Sequence, residues 1–456
     1  MSDELPNGWV SAPVAEVIED FQPGFASGEK NVEGGVAHLR MNNIGLDGEL
    51  VLDLIRTVPE ELAKPRHNLS PGDVLVCTTN SGALVGKCAY FDLKGRYAFS
   101  NHLTRLRPKR TVIDGSFLRW NLWLHWKRGV FDDKCKHWVN QSSLPKDALL
   151  EDEIVVPPLP EQRRIVAKLE KLLGQVDACQ QRLEKMPTLL KRFRQSILAA
   201  ACSGRLTADW REENPAQEIA RTDDNANGFA ELPETWQWRK IGSVFTVETG
   251  TTPPKKDPAN YSPTPSDCPF FKPSDLDVGA EVRIAREWLS AQGEDHSRLL
   301  PAMTVCVTSI GATIGKTGFL RVRGATNQQI NSILPAEGVQ PEFTYFYCCS
   351  QYFQRRILEE SSSTTLPIIN KGRFVELEFP LPPLAEQQEI VRRGAGLFAL
   401  ADQLEQRLAQ ARKQVDKLTP SLLARAFAGQ LVPQNPADEP AENLLKRLAI
   451  TNQKDY

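Results

Sequence analysis

The sequence predicts an α+β fold: two similar mixed α/β domains separated by an antiparallel two-helix coiled coil, with a pseudo-twofold internal repeat. Two observations carry this prediction. Apolar residues at seven-residue spacing mark two long helices, and a stretch of 50 residues occurs twice at a constant offset of 225. At 456 residues, the chain is long enough for two or more domains.

The first domain is predicted over residues 1–153. It opens with the sequence Leu-Pro-Asn-Gly-Trp, which ends at Trp9, and the apolar residues Val14 and Val17 then suit a first strand. Residues 69–87 combine a proline turn, a β-branched run, a polar tip and a Gly-x-x-x-Gly-Lys loop. These features indicate a mixed α/β domain of ordinary size.

An aromatic segment near the end of this domain admits two interpretations. Its large side chains recur at helical spacing and have a counterpart in the second half of the chain. The first set is Phe117, Trp120, Trp123, Leu124 and Trp126, and the second is Phe343, Tyr345, Phe346, Tyr352 and Phe353. Aromatic residues can stack on bases, but the helical spacing favours core helices.

The first helical region is predicted over residues 154–207 and the second over residues 380–432. Successive prolines in PPLPEQ and PPLAEQ fix where each helix begins, because a helix tolerates proline only in its first turn. The apolar seam is assigned to Ile165, Leu169, Leu172, Val176, Leu183, Ile390, Leu397, Leu404, Leu408 and Val415. Pro187 and Pro420 are expected to interrupt the helices, which leaves about 26 uninterrupted residues, or about 39 Å.

The second domain repeats the first. A polar, acidic stretch at residues 208–231 is predicted to be a linker, and the second domain covers residues 232–379. Residues 299–316 repeat the proline turn, the β-branched run and the Gly-x-x-x-Gly-Lys loop of the first domain. The tail, residues 433–456, is expected to hold one short helix at residues 441–450.

The two matched helices most simply bury each other's apolar faces, since one amphipathic helix cannot bury its own. A rod of about 39 Å is close to one turn of B-DNA, roughly 34–36 Å, and suits two domains that read two half-sites. Because the two domains differ in sequence, the predicted target is bipartite and asymmetric. The open alternative is a generic dimerisation stalk.

Composition excludes several classes of protein. The formal net charge of −2 argues against a uniformly basic nucleic-acid coat, although residues 94–136 hold eleven Lys or Arg against three Asp. That run is either a local DNA-binding footprint or a solvated face. No apolar run reaches the roughly 20 residues of a membrane helix, and the N-terminus is not a secretory signal. Nine cysteines without a CxxC pair suit the reducing cytoplasm.

No catalytic motif is found in the sequence. Residues 311–317 nearly spell a P-loop but are one residue short, and the first-domain copy lacks the Ser or Thr that would bind Mg²⁺. We therefore interpret both copies as structural loops that carry a DNA-facing lysine, Lys87 or Lys316. The six histidines show no metal-ligand spacing, so neither a metal site nor a cofactor site is predicted.

The polar loop tips are the candidate DNA contacts, because Arg and Lys read guanine, Asn and Gln read adenine, and Ser and Thr adapt to either. In the first domain they are Thr78, Thr79, Asn80, Ser81, Lys87, Arg96, Asn101, His102, Arg105 and Arg107. In the second they are Thr308, Ser309, Thr313, Lys316, Arg321, Arg323, Asn327, Gln328, Gln329 and Asn331. Arg96, Arg321 and Arg323 are expected to contact phosphates. Ordinary turn chemistry is the alternative for each residue.

This arrangement resembles the specificity subunit of type I restriction–modification enzymes. The resemblance is carried by the paired P-P-L-x-E-Q helices, PPLPEQRRIVAKLEKLLGQVDACQQRLEKMPTLLKRFRQSILAAACSGRL and PPLAEQQEIVRR…LTPSLLARAFAGQL. The Leu-Pro openings that end at Trp9 and Trp236 also match, and the resemblance covers nearly the whole chain.

The resemblance implies a non-catalytic subunit whose two target recognition domains each read one half of a split sequence in double-stranded DNA. It implies that the helices dock two methyltransferase subunits, which bind S-adenosylmethionine, and that two motor-nuclease subunits use ATP and Mg²⁺. The chain itself would bind no cofactor and no membrane. The alternatives are a coiled-coil adaptor without specific DNA recognition and a self-sufficient methyltransferase or nuclease, which the missing cofactor motifs oppose.

Overall fold

The computed structural model describes residues 5–139, 141–215, 232–362 and 366–452. The chain divides into two compact units. Unit 1 extends to Arg182 and resumes at Arg412, and unit 2 comprises Leu183–Ala411.

Unit 1 begins with short strands and helices. The strands are β1 (Val10–Pro13), β2 (Ile18–Pro23), β3 (Val36–Leu39), β4 (Arg56–Val58), β5 (Val74–Cys77), β6 (Thr79–Asn80), β7 (Cys88–Tyr90), β8 (Tyr97–Phe99), β9 (Leu103–Pro108), β10 (Lys136–His137), β11 (Ser142–Ser143) and β12 (Glu153–Val156). The helices are α1 (Val14–Val17), α2 (Gly115–Lys127), α3 (Lys146–Leu150) and the long α4 (Leu159–Cys202), which continues into unit 2.

Unit 2 has a similar order of elements. Its strands are β13 (Gln237–Lys240), β14 (Val247–Thr249), β15 (Tyr261–Ser262), β16 (Pro269–Phe271), β17 (Glu287–Leu289), β18 (Leu299–Leu300), β19 (Val305–Thr308), β20 (Thr317–Phe319), β21 (Gly324–Thr326), β22 (Ile330–Ile333) and β23 (Glu378–Leu381). The helices that follow α4 are α5 (Ala208–Glu213), α6 (Ile241–Val244), α7 (Ala291–Asp295), α8 (Pro341–Cys349), α9 (Gln351–Glu359), α10 (Lys371–Phe374), α11 (Leu384–Val415), α12 (Leu418–Phe427) and α13 (Ala441–Asn452). The last two belong to unit 1.

The sheets of the two units have matching topologies. The order β2-β9-β5-β7 in unit 1 corresponds to β14-β22-β19-β20 in unit 2, and the pair β1-β12 corresponds to β13-β23. In the sheet β4-β3-β8, the central strand is antiparallel to one neighbour and parallel to the other, as it is in β17-β16-β21. Unit 2 extends this second sheet with β15 and β18. The repeat seen in the sequence is therefore a repeat of fold.

The aromatic segments are core helices, as predicted. Asp114 caps α2 by accepting hydrogen bonds from the backbone N–H groups of Ser116 and Phe117, at 3.0 and 3.2 Å. Trp120 and Trp123 are buried on this helix. In unit 2 the corresponding aromatic residues divide between α8 and α9 and line the core of that unit.

The long helices run antiparallel, which is visible within each unit. In unit 1, Ile165 and Leu169 near the start of α4 pack in one cluster with Leu423 on α12. In unit 2, Leu198 near the end of α4 packs in one cluster with Ile390 near the start of α11. The predicted α+β fold, with two mixed domains and an antiparallel helix pair, is confirmed.

The predicted interruption at Pro187 is wrong. Helix α4 continues without a break through Pro187. The whole helix has 44 residues and is therefore about 66 Å long rather than about 39 Å. The proline removes one backbone donor, but packing of neighbouring turns, for example at Leu190, which is buried, compensates for that loss. In the second copy a break does occur, between Val415 and Leu418, and Pro420 lies in the first turn of α12.

The seam residues lie on two heptad registers. The first contains Leu169, Val176, Leu183, Leu408 and Val415, and the second contains Ile165, Leu172, Ile390, Leu397 and Leu404. The first register is the more consistently buried. It runs through Leu169 and Val176 on α4 and through Ala401 and Leu408 on α11. Leu404, which was also assigned to the seam, is 36 % exposed. The remaining seam assignments are partly or fully buried: Ile165, Leu172, Leu183, Ile390, Leu397 and Val415.

The predicted linker, residues 208–231, begins as an ordered helix. Its first six residues form α5, and Arg211 pairs with Glu386 on α11 and donates to the carbonyl of Gly204 at 2.7 Å. Residues 216–231 lie outside the described residues. The helix predicted in the tail is confirmed as α13. None of the helices in the described part of the chain combines the length and apolarity needed to cross a membrane.

Candidate nucleic-acid interface

The structure brings the predicted polar tips together in unit 1. The backbone N–H groups of Thr78 and Thr79 both donate to the carbonyl of His102, at 3.0 and 3.3 Å. Short strand β6 then pairs with β11 beside this contact. The loop after β5 and the loop between β8 and β9 therefore form one surface.

Unit 2 repeats this arrangement. The N–H of Ser309 donates to the carbonyl of Gln329 at 2.7 Å, so the loop after β19 meets the loop between β21 and β22. The Gly-x-x-x-Gly-Lys loop connects the two strands of a β hairpin in both units. The N–H of Gly86 donates to the carbonyl of Cys77, and the N–H of Gly315 donates to the carbonyl of Thr308, both at 2.8 Å. Positive φ angles of 94° and 83° at Gly86 and Gly315 explain why glycine stands there.

The predicted contacts divide by exposure. Exposed or partly exposed are Thr79, Asn80, Ser81, Arg96, Asn101, His102, Arg107, Thr313, Lys316, Arg321, Arg323, Gln328 and Gln329. Buried are Thr78, Lys87, Arg105, Thr308, Ser309, Asn327 and Asn331. The buried side chains shape the loops from within.

Lys87 does not face solvent, which contradicts our interpretation of a DNA-facing lysine. Its ammonium donates to the carbonyls of Met41 and Ile44, at 3.2 and 2.6 Å, and burial lowers its pKa. Arg105 is also internal: it is 2 % exposed, pairs with Asp20 and donates to the carbonyl of Asn68 at 2.7 Å. Both cations stabilise the fold of unit 1.

Most other basic candidates already have acidic partners. Arg107 makes two hydrogen bonds of 2.8 Å to Asp73, and these raise its pKa. The other pairs are Arg96–Glu60, Lys316–Asp277, Arg321–Glu281, Arg321–Glu342 and Arg323–Glu294. A DNA phosphate would have to compete with these carboxylates.

Sequence reasoning missed three basic residues, Lys30, Arg40 and Arg56. Together with Asn101 and His102, they line a cavity in unit 1. Among the described residues, none of the three forms an ion pair. No signal in the linear sequence joins Arg40 to Arg56, because only the register of β3 on β4 makes them neighbours.

A repeated joint fastens each domain to its long helix. In unit 1 the indole N–H of Trp9 donates to Glu161 Oε2 at 3.2 Å, and in unit 2 that of Trp236 donates to Glu386 Oε2 at 2.8 Å. Both glutamates are 1 % exposed. The Leu-Pro…Trp opening and the P-P-L-x-E-Q motif therefore bind each other.

The next residue completes each joint. Gln162 donates to the carbonyls of Val112 and Pro157 and accepts from the N–H of Asp114, all at 2.8 Å. Gln387 accepts from the N–H of Gln340 at 2.8 Å and donates to the carbonyl of Pro382, also at 2.8 Å. We call these contacts the Trp–Glu–Gln joint; it comprises Trp9, Glu161 and Gln162 in unit 1 and Trp236, Glu386 and Gln387 in unit 2.

The two joints differ in how the glutamate is neutralised. Glu386 Oε1 accepts from Thr207 at 2.6 Å and pairs with Arg211. Glu161 Oε1 is buried without a partner, and desolvation raises the pKa of this carboxyl. The positions of Thr207 and Arg211 correspond, at the offset of 225, to Val432 and Pro436, which cannot replace them.

We therefore expect the same substitution to affect stability much more at Glu386 than at Glu161. Glu386→Gln should destabilise unit 2 by about 2 kcal/mol, because Arg211 loses its partner. Glu161→Gln should change the free energy of unfolding by less than about 0.5 kcal/mol at neutral pH. The ionised carboxyl of Glu161 is buried and poorly solvated, so little stabilisation is lost when its charge is removed. The raised pKa means that any penalty from ionised Glu161 disappears as the pH falls through that pKa. Thermal unfolding of both variants at pH 7 and pH 4 checks this.

Equal destabilisation by the two substitutions at pH 7 would contradict the assignment. Glu405→Gln is a useful comparison, since Glu405 lies on the same helix as Glu386 and pairs with Arg194 at 3.0 Å in an exposed setting. An exposed pair contributes little, so its loss should cost less than about 1 kcal/mol.

Comparison with known proteins places the chain in a family. A family model described as the type I restriction modification DNA specificity domain matches residues 25–187 and 233–411. The specificity subunit of the type I restriction enzyme StySPI from Salmonella potsdam is 28% identical over 451 residues, covering 96% of this chain and 92% of that protein. The EcoKI specificity subunit from Escherichia coli strain K12 is 27% identical over 459 residues, covering 96% and 92%.

A solved structure has the same fold. The crystal structure of the HsdS subunit from Thermoanaerobacter tengcongensis aligns with a TM-score of 0.65 and 19% identity, covering 94% of this chain and 99% of that one. The two family matches fall on the two repeated halves of the chain. The chain therefore belongs to the family of specificity subunits of type I restriction–modification systems, which are non-catalytic and give these complexes their DNA specificity.

Proposed function

We propose that this chain reads a bipartite, asymmetric duplex target, with one domain for each half-site. The observation that carries this proposal is the repeated surface of paired loops, which has the same backbone contacts in both units but different side chains. The same scaffold with different polar tips suits two different half-sites. We take residues 1–153 and 232–379 as the two target recognition domains.

The accessible tips are the proposed base contacts. In unit 1 these are Thr79, Asn80, Ser81, Asn101 and His102, and in unit 2 they are Thr313, Gln328 and Gln329. Amide side chains suit adenine, and hydroxyls adapt to several bases. The buried candidates support the loops, and Arg96, Arg107, Lys316, Arg321 and Arg323 would reach phosphates only by exchanging an acidic partner for DNA.

The long helices are the proposed docking surface for two methyltransferase subunits. Part of their second apolar register stays accessible in this chain. Ile165 and Ile390 are buried, but Cys179 and Leu404 are exposed, and Leu172 and Leu397 are only partly buried. Apolar side chains repeated at heptad spacing on an exposed helix face suit a partner helix.

The proposed complex also contains two motor-nuclease subunits. S-adenosylmethionine, ATP and Mg²⁺ belong to the partner subunits, and this chain binds no cofactor of its own. Such a complex acts on DNA in the cytoplasm, in defence against foreign DNA.

Exchange of a domain is the direct test. Replacing residues 1–153 with the corresponding domain of another specificity subunit should change one half of the methylated motif and leave the other half unchanged. Methylation mapping of genomic DNA from cells that carry the exchanged gene with its partner subunits reads this result. Replacing residues 232–379 is the matched control and should change the other half.

Two outcomes would overturn the proposal. A change in both halves after one exchange would contradict the assignment of one domain to each half-site. An assembled wild-type complex that protects no specific sequence would favour a coiled-coil adaptor without DNA recognition.

A further inference from the structure

A basic cavity lies in unit 1 beside the proposed base contacts. Its volume is about 350 Å³, and Phe25, Lys30, Arg40, Arg56, Ser100 and Asn101 are among the residues that line it. Glu29 is the one carboxylate among the described residues that line the cavity. Three cations against one anion give this cavity a positive charge.

The two arginines face the cavity because of the strand register. His38 on β3 lies directly opposite Arg56 on β4, and Arg40 follows two residues after His38. Side chains two residues apart point to the same face of a strand. Burial, and after it the charge of Arg56, lowers the pKa of Arg40, as expected for two guanidinium groups that lie close together.

The structure leaves these cations without anions. Arg40 donates through Nη2 to the carbonyl of Leu54 at 3.2 Å, but its buried Nε has no partner. The side chain of Arg56 forms neither a hydrogen bond nor an ion pair with any described residue. Two adjacent, unneutralised guanidinium groups are a costly arrangement that a bound oxyanion would relieve.

A buried polar side chain also points to a ligand. Ser100 is 5 % exposed, and its Oγ has no partner among the described residues. It lines the same cavity, as does the buried His38. Buried polar atoms are nearly always hydrogen-bonded, so the Ser100 hydroxyl is suited to a group that enters the cavity.

In unit 2 the equivalent positions hold one basic and one acidic residue, so their charges cancel. Phe270 on β16 lies opposite Glu287 on β17, as His38 lies opposite Arg56, so Lys272 and Glu287 take the positions of Arg40 and Arg56. Lys272 and Glu287 form an ion pair. The repeat therefore has an internal pair in one unit and two free cations in the other.

We propose that Arg40 and Arg56 bind an oxyanion, a phosphate group of the DNA backbone, and that unit 2 has no equivalent site. This inference rests on the proposed function, since the phosphate would belong to the half-site that unit 1 reads. The neighbouring Asn101 and His102 would then be placed against the bases next to that phosphate.

The test measures how DNA affinity depends on salt. The complex of the full chain with its methyltransferase subunits is titrated with a duplex that carries its methylated motif, at several salt concentrations. Arg40→Ala and Arg56→Glu should each lower the slope of log K against log salt by about 1 and weaken binding roughly five- to tenfold at physiological salt. Sequence preference should not change, because a phosphate contact carries no base information.

Lys272→Ala is the matched control in unit 2 and should leave the slope unchanged. Arg56→Glu places a carboxylate beside Arg40, as in unit 2, so the variant should unfold at the same temperature as the wild type or higher. A slope that is unchanged in both arginine variants, with folding intact, would overturn the inference.

A second arm separates DNA phosphate from a free anion. Inorganic phosphate and pyrophosphate are titrated into the wild type and Arg56→Glu, with thermal stability as the readout. Stabilisation of the wild type alone, together with an unchanged DNA slope, would assign the site to a free anion and overturn the DNA source. If the wild-type complex showed no sequence-specific binding, the proposed function would be overturned. The anion titration would still test whether the cavity binds an oxyanion.

Discussion

Replacing Gln162 with alanine should lower the free energy of unfolding of unit 1 by about 3 kcal/mol, which corresponds to a fall of roughly 6–12 °C in its unfolding temperature. The side chain is fully buried and makes three hydrogen bonds, all of 2.8 Å. Alanine would leave the carbonyls of Val112 and Pro157 and the N–H of Asp114 without partners. Thermal unfolding followed by circular dichroism measures the effect.

The second joint should behave in the same way. Gln387→Ala removes the equivalent contacts in unit 2 and should cost a similar amount. Gln388, the adjacent residue, is exposed, so Gln388→Ala should change stability by less than about 0.5 kcal/mol. If Gln388→Ala destabilised the protein as much as Gln387→Ala, loss of the buried amide contacts would not explain the result, because alanine is the better helix former at both positions.

Replacing Leu169 with alanine should destabilise unit 1 by about 3 kcal/mol. Leu169 is 0% exposed and packs in one core cluster with Leu423 of α12 and Phe117 of α2. A buried Leu→Ala change loses the transfer free energy of the side chain and leaves a cavity, and the two effects together cost about 2–5 kcal/mol. Urea unfolding, read as the shift in midpoint, measures this loss.

The matched control lies on the same helix. Leu189 is 51% exposed, so Leu189→Ala should cost less than about 1 kcal/mol. A large effect at Leu189 in the isolated chain would mean that its face of α4 is buried in solution. A small effect at Leu169 would contradict the packing of α4 on the recognition domain.

The helices and the repeat could be predicted because their signals are local and periodic. Heptad spacing alone places Leu169 and Val176 on a buried face. The same reasoning failed at Pro187, because the intrinsic cost of a helical proline is known, whereas the packing that offsets it is not visible in the sequence. It also assigned Leu404 to the seam, although Ala401 lies at the buried position one turn earlier.

The interface was predicted less completely, because exposure and ion pairing depend on contacts between distant residues. Arg105 is an ordinary candidate for guanine contact in the sequence, yet it is buried against Asp20 from another strand. Lys87 is bound to carbonyl groups more than forty residues away. Arg40 and Arg56, in contrast, become a pair only once the register of two strands is known.

The Trp–Glu–Gln joint has a consequence for how such proteins evolve. It uses buried atoms of a strand entry and a helix start, and none of the accessible loop tips belongs to it. Mutations in the tips should therefore change the folding free energy little, so the proposed base contacts can vary without a change in the core. Two identical domains produced by a duplication could therefore diverge readily into the two different domains of this chain.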